Sequence, residues 1–113
     1  MFSVHKQGDV TIIELEGSID GKTAPQIRED IRPALDETQK AVLDLTKVVY
    51  LSSAGLRLLL LVYREFTARN GKLVLAGVSP DIQAVMSHTG FITFFTLVAD
   101  KERALEAIGG PAK

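Results

Sequence analysis

Apolar residues in this chain fall into short alternating runs and longer helical stripes, a pattern that reads as an ordered series of strands and helices. Phe2 to Lys6 and Val10 to Glu16 are β-prone runs joined by Gln7-Gly8-Asp9, which has the composition of a hairpin turn. In the second run Thr11, Ile13 and Leu15 share one face, with Val10, Ile12, Glu14 and Glu16 on the other. That predicts a strand near a sheet edge with one wetter face. From about Ala24 to Asp36, the residues Ile27, Ile31 and Leu35 recur at i, i+4 and i+8, one apolar stripe on a helix that Thr23 can cap and Pro25 can enter. Pro33 lacks an amide donor and crowds the Glu29 carbonyl, so a kink or early end is expected there.

Ala41 to Leu45, apolar apart from Asp44 and flanked by helical patterns, predicts a central parallel strand. Leu56 to Phe66 is apolar around most of a helix and must be covered on more than one side, with Asn70-Gly71 as its C-cap. Leu73 to Ala76 predicts another buried strand. Ser79-Pro80-Asp81 opens a helix carrying Ile82, Val85 and Met86 and ending at Gly90. Phe94 to Val98 predicts a weak last strand or an extended segment. Asp100 caps a final helix that turns Ala104, Leu105 and Ile108 inward and stops at Gly109-Gly110, with Pro111 to Lys113 frayed. The order β-β-α-β-α-β-α-β-α argues for an α/β fold, a mixed sheet with an N-terminal hairpin, right-handed βαβ crossovers and about four helices. The edge strands are expected to come first and last.

Length and charge narrow the choice of function. The 113 residues suit one domain, 1–113, with a core that needs no staples. Thirteen basic residues are scattered against fourteen acidic ones, so no basic tract points to nucleic acid. The chain has no cysteine, the start lacks a signal-peptide run, and the apolar stretch Leu58 to Tyr63 is too short to span a bilayer. A cytoplasmic protein that does not associate with membranes is expected, with no cofactor and no metal.

The chemistry of interest lies between Val48 and Leu61, where a buried strand meets the most apolar helix. Ser52 or Ser53 is placed to cap that helix, since a side-chain oxygen can accept from amides that lack a partner in the first turn. The same helix start carries partial positive charge and tolerates an added phosphate. A second stretch, Gly17-Ser18-Ile19-Asp20-Gly21-Lys22-Thr23, ends like a phosphate-binding loop. It is one residue short between its glycines, however, and Asp20 puts a carboxylate where phosphates would sit. A turn that offers Asp20 to a partner is the better reading, which leaves a minimal nucleotide-binding enzyme resting on this loop alone.

Other enzyme classes find less support. His5 and His88 have no metal-ligand spacing, and Leu51 stands where a hydrolase elbow centred on Ser53 would need glycine. Glu14 with Glu16, and Glu29 with Asp30, read as solvated faces. A receiver domain phosphorylated at a strand end is a fairer rival, but Glu16 and Asp20 are a thin acidic cluster.

With Val48-x-Tyr50-Leu51-Ser52-Ser53-Ala54-Gly55-Leu56 as its centre, the chain resembles the STAS-domain anti-sigma factor antagonists of bacteria. Gly17-Ser18-Ile19-Asp20 with Thr23-Ala24, Ser79-Pro80, and Gly90-Phe91 extend the resemblance over nearly the whole length. In that family Asp-Ser-Ser-Gly or Asp-Ser-Thr-Gly precedes the helix, and the serine after the aspartate is phosphorylated. Matched at Gly55, that serine is Ser53. Ser52 then stands where the family has aspartate, leaving it as a second acceptor, and Ala54 replaces the second hydroxyl residue.

The resemblance implies a binding module without catalysis of its own. Unphosphorylated, it would dock a surface comprising Asp20, Thr23, Ser52, Ser53, Ala54, Gly55 and Arg57 onto an anti-sigma factor that is also a serine kinase, freeing a sigma factor. Phosphorylation of Ser53 would end that docking, and a metal-dependent serine phosphatase would restore it. The alternative is a STAS-type scaffold or small-ligand-binding module in another partner-switching pathway. A monomer is expected.

Overall fold

The structure, a computed structural model, describes residues 2–108. Strands β1 (Phe2–Gln7) and β2 (Val10–Ile19) form the N-terminal hairpin, and α1 (Ala24–Asp36) leads into β3 (Lys40–Leu51). Helix α2 (Ser53–Ala68), β4 (Lys72–Ala76) and α3 (Pro80–Thr89) follow, then a 3-10 turn (Phe91–Phe94), β5 (Thr96–Val98) and α4 (Lys101–Ala107). The five strands lie in chain order, β1-β2-β3-β4-β5, with β1 antiparallel to β2 and the remaining neighbours parallel. The mixed sheet and the first-and-last edges therefore stand as the hydrophobic pattern indicates.

The period-2 alternation of the strands sorts their side chains into two layers. Ile13, Leu15, Leu43, Leu45 and Leu75 face the core shared by α1, α2 and α3, whereas Val10, Ile12, Val42, Val74 and Ala76 meet Ala104 and Ile108 at α4. Crossovers of one hand between strands added always in the same direction deposit their helices on one face, so α4 is left to cover the other.

This arrangement corrects the reading of β2. It is an inner strand, paired on both sides, and Val10 and Ile12 are fully buried. The face that looked wetter is covered by α4, which the chain supplies some ninety residues later. Only from Glu14 onward does this face open, and there Lys101 of α4 reaches Glu14 at 2.7 Å.

Several boundaries also differ. Strand β2 runs on through Gly17 and Ser18 to Ile19 rather than ending at Glu16. Helix α1 runs through Pro33 to Asp36 instead of ending early. Pro33 and Glu29 are both exposed, so the carbonyl that loses its helical donor faces water. Strand β3 extends to Leu51 rather than stopping at Leu45, because β2 continues beside it after β4 has ended at the Asp44–Ala76 pair. The last strand is shortened to Thr96–Val98, since Phe91–Phe94 wind into a 3-10 turn that sets the Phe94 ring tilted and the Phe95 ring edge-on against Tyr63 of α2, with ring centroids 5.6 Å apart.

Several other boundary signals act as expected. Ser79 and Asp100 accept from the amides of Ile82 and Arg103, and Asn70 and Gly90 take left-handed backbone at helix ends. Gly109-Gly110 and Pro111 to Lys113 lie outside the described residues. On α3, Ile82 and Met86 are buried while Val85 is exposed.

Helix α2 is the centre of the larger core, with Leu56, Leu59, Val62 and Phe66 almost inaccessible to solvent. Replacing Leu59 with alanine is expected to cost about 2–5 kcal/mol of stability, against less than about 1 kcal/mol for Val85→Ala. Urea unfolding of the two variants checks the contrast.

Candidate functional site

The site is built where β2 and β3 run past the end of β4. The two strands stay paired as far as Ile19 and Leu51, and the Ser52 amide then donates to the Ile19 carbonyl at 3.0 Å. Immediately afterwards the chain turns into α2, with Ser52 in extended backbone as the N-cap. Its Oγ accepts from the amides of Ala54 and Gly55 at 3.2 and 3.4 Å.

The two serines thus have different roles. Ser52 is half-buried and its hydroxyl is engaged in capping, whereas Ser53, the first helical residue, is exposed. The capping geometry settles which hydroxyl closes the helix.

Gly55 is buried for a steric reason. A Cβ there would lie 2.7 Å from the Ile19 carbonyl oxygen and 2.6 Å from Leu51 Cδ1. Only glycine lets the first turn of α2 close on the end of β2, which holds Ser53 beside the loop that follows Ile19.

That loop carries Asp20. Its Oδ1 accepts from the amides of Lys22 and Thr23 at 2.9 and 3.1 Å, while Thr23 Oγ1 accepts from the Asp20 amide at 2.9 Å and donates to the Ser18 carbonyl at 2.9 Å. This is a reciprocal capping box. Thr23 sits at the start of α1 without capping it through its side chain; Asp20 closes the turn instead. The amide hydrogen bonds, that from Thr23 first, hold the Asp20 carboxyl below the usual carboxylate range.

The same bonds bear on the resemblance to a phosphate loop. The Lys22 and Thr23 amides are occupied by a carboxylate, Ile19 is buried in the core, and Gly17 and Ser18 are part of β2. Donors that would cradle a phosphate are already in use.

Between α1 and α2 runs an open groove of about 420 Å³, lined by Ala24, Pro25, Arg28, Ala54, Arg57 and Leu61 among others. Arg28 is held in place by Glu65 at 2.6 Å, and Arg57 is exposed. Val49 and Tyr50, 77% and 53% exposed, project from the same end of β3.

The structure therefore brings Asp20, Ser52, Ser53, Ala54 and Arg57 to one end of the molecule, with Thr23 and Gly55 beneath as framework. Sequence reasoning did not single out Val49, Leu61 or Arg28. For Val49 the available signal was the extension of β3 beyond its apolar run, whereas the Arg28–Glu65 pair spans thirty-seven residues and leaves no local trace.

Among the described residues, no group of three or more His, Cys, Asp or Glu side chains is placed to hold a metal ion. No helix there is long and apolar enough to cross a membrane. The fold and the site together define an α/β domain that presents a free serine at a helix start on an open surface.

Comparison with known proteins gives the family. The STAS domain family matches residues 1–104, and the chain belongs to that family. It is 33% identical over 94 residues to BtrV of Bordetella bronchiseptica, which bears the name of an anti-sigma factor antagonist; the match covers 82% of this chain and 81% of BtrV. The crystal structure of an anti-sigma factor antagonist from Mycobacterium paratuberculosis superposes with a TM-score of 0.88 at 25% identity, covering 96% of this chain and 93% of that one. The anti-sigma factor antagonist SpoIIAA, 23% identical, shares the fold in its unphosphorylated form, with a TM-score of 0.81 and all of both chains covered. The phosphorylated form of SpoIIAA, from Bacillus, gives 0.74 over 96% of this chain and 99% of that one.

Two outcomes are expected from the geometry. Gly55→Ala gains helix propensity of up to about 1 kcal/mol but forces the helix off Ile19, for a net loss of about 1–3 kcal/mol in denaturant unfolding. Because the Asp20 carboxyl is held below its unfolded value of about 3.9, its contribution to stability is complete above that pH and is lost as pH falls through the folded value. Asp20→Asn should flatten this part of the acid limb in unfolding curves recorded from pH ~7 to ~2.5.

Proposed function

We propose that this single domain, 1–113, is an anti-sigma factor antagonist switched by phosphorylation of Ser53. The observation that carries the reading is the division of labour at the start of α2: Ser52 caps the helix, and Ser53 is exposed at its first position. A kinase can take Ser53 without disturbing the cap, whereas the half-buried Ser52 hydroxyl is engaged with two amides and would have to be drawn out of the cap to reach a kinase. The names borne by BtrV and SpoIIAA, and the existence of SpoIIAA in a phosphorylated form, support the same assignment.

In the unmodified state the surface around Ser53, Asp20 and Arg57 docks onto an anti-sigma factor that is also a serine kinase, and a sigma factor is released. Ser53 Oγ then attacks the γ-phosphorus of the kinase's ATP; ADP leaves, and the hydroxyl proton passes to a base of the kinase. A metal-dependent serine phosphatase transfers the phosphoryl group to water and restores the hydroxyl. The domain acts in the cytoplasm and needs no cofactor or catalytic group of its own.

Local electrostatics suffice for the switch. Phosphorylation adds about −1.5 to −2 charge, which the start of α2 favours by about 0.3–1 kcal/mol. Burying that charge against a partner without matching cations costs several kcal/mol. Since about 1.4 kcal/mol is a tenfold change in affinity, docking is abolished without refolding.

Phosphopeptide mapping after incubation with the host's candidate kinase and ATP tests this reading. One phosphate on Ser53, absent in Ser53→Ala, is expected, together with loss of kinase binding in Ser53→Asp. No phosphate under conditions where that kinase modifies a known substrate, or equal binding by Ser53→Asp, would move the assignment to a scaffold or ligand-binding module.

A further inference from the structure

Arg57 lies one turn after Ser53 on α2, at i+4, where two side chains on a helix are neighbours. Side chains tilt toward the helix N-terminus, so an arginine at this position leans back over the residue four before it. Arg57 is exposed and forms no ion pair with another described residue. The other cation of the groove, Arg28, is committed to Glu65 at 2.6 Å. Lys22 and Asp20 lie in the turn before α1, and the Asp20 carboxylate is already bonded to backbone amides.

We propose that Arg57 receives the phosphoryl group on Ser53 and is thereby withdrawn from the partner-binding surface. The inference rests on the reading of Ser53 as the modified residue. A guanidinium can meet a phosphate through two parallel N–H donors, which the single ammonium of a lysine cannot reproduce. Modification then changes the docking face twice: a dianion appears where a hydroxyl stood, and a free cation beside it is neutralised. A partner whose acidic group pairs with Arg57 in the unmodified state loses that contact at the same moment that it meets the phosphate. The same pairing ties the phosphate to α2 and leaves the backbone of the fold unchanged.

The test uses the full chain with phosphoserine incorporated at position 53 during translation, so that no kinase is needed. Its second phosphate ionisation is followed by ³¹P NMR in the parent and in Arg57→Gln, Arg57→Lys and Lys22→Gln backgrounds. The expected result is a pKa that rises by about 0.2–0.4 unit in Arg57→Gln, rises less in Arg57→Lys, and stays at the parent value in Lys22→Gln. The effect of the helix start is common to all four, so the difference isolates the side chain. Identical titrations in the parent and Arg57→Gln, or a shift produced by Lys22→Gln alone, overturn the inference. Failure of the underlying reading appears separately, as a lack of Ser53 phosphate in unmodified protein exposed to the kinase.

Discussion

The close approach of α2 to the end of β2 is the constraint on which the rest of the molecule depends. The Ile19 carbonyl accepts the Ser52 amide at 3.0 Å and lies so near Gly55 that no β-carbon fits between them. This contact sets where the most buried helix begins and therefore where its Leu56, Leu59, Val62 and Phe66 enter the core. It also decides that Ser52 turns inward to cap and Ser53 turns outward to solvent. Further along, Arg69 holds the other end of α2 by donating to the Leu35 and Thr38 carbonyls while lying over the Phe66 ring. With Arg28 bound to Glu65 between them, α1 and α2 are fastened at several levels.

A parallel arrangement places helix starts at the C-terminal ends of strands, so the capped starts of α1, α2 and α3 share one edge of the sheet. At α1 and α2 the caps differ in a way that matters for charge. Asp20 brings its own carboxylate to the turn before α1 and uses it on two amides, so this start is already neutralised. Ser52 caps α2 with a neutral hydroxyl, leaving the partial positive charge of that helix uncompensated beside an exposed Ser53. Of the two, the start of α2 is the one that can accept added negative charge.

Much of the fold was legible because its signals are local. Asn70-Gly71, Ser79-Pro80-Asp81 and Asp100 each mark a helix end through residues within one turn, and the strand order follows from the alternation of elements. What stayed hidden depended on distant chain. Val10 and Ile12 looked like a wetter face because α4, which covers them, comes at the far end of the sequence. Pro33 was tolerated because it faces solvent, a fact of packing rather than composition. Within the site, adjacent Ser52 and Ser53 were both acceptable caps on spacing alone; only the backbone course after Leu51 separates them. Asp20 and Thr23 both stood out in the sequence, but it is the Asp20 side chain that closes the turn before α1, while Thr23, the expected cap, makes no side-chain bond to that helix.

The rigidity of this corner bears directly on what a modification there can do. A switch that works by moving a segment needs a second packing of similar energy, and the corner offers little room for one: Gly55 has no space to shift toward Ile19, Ser52 is bound to two amides, and the Asp20 turn is closed by the reciprocal hydrogen bonds of Asp20 and Thr23. A charge placed on Ser53 therefore leaves the backbone of this corner in place. On the proposed reading, a partner would meet a surface of unchanged shape and more negative charge, because Ser53 is exposed on a helix start whose geometry is fixed.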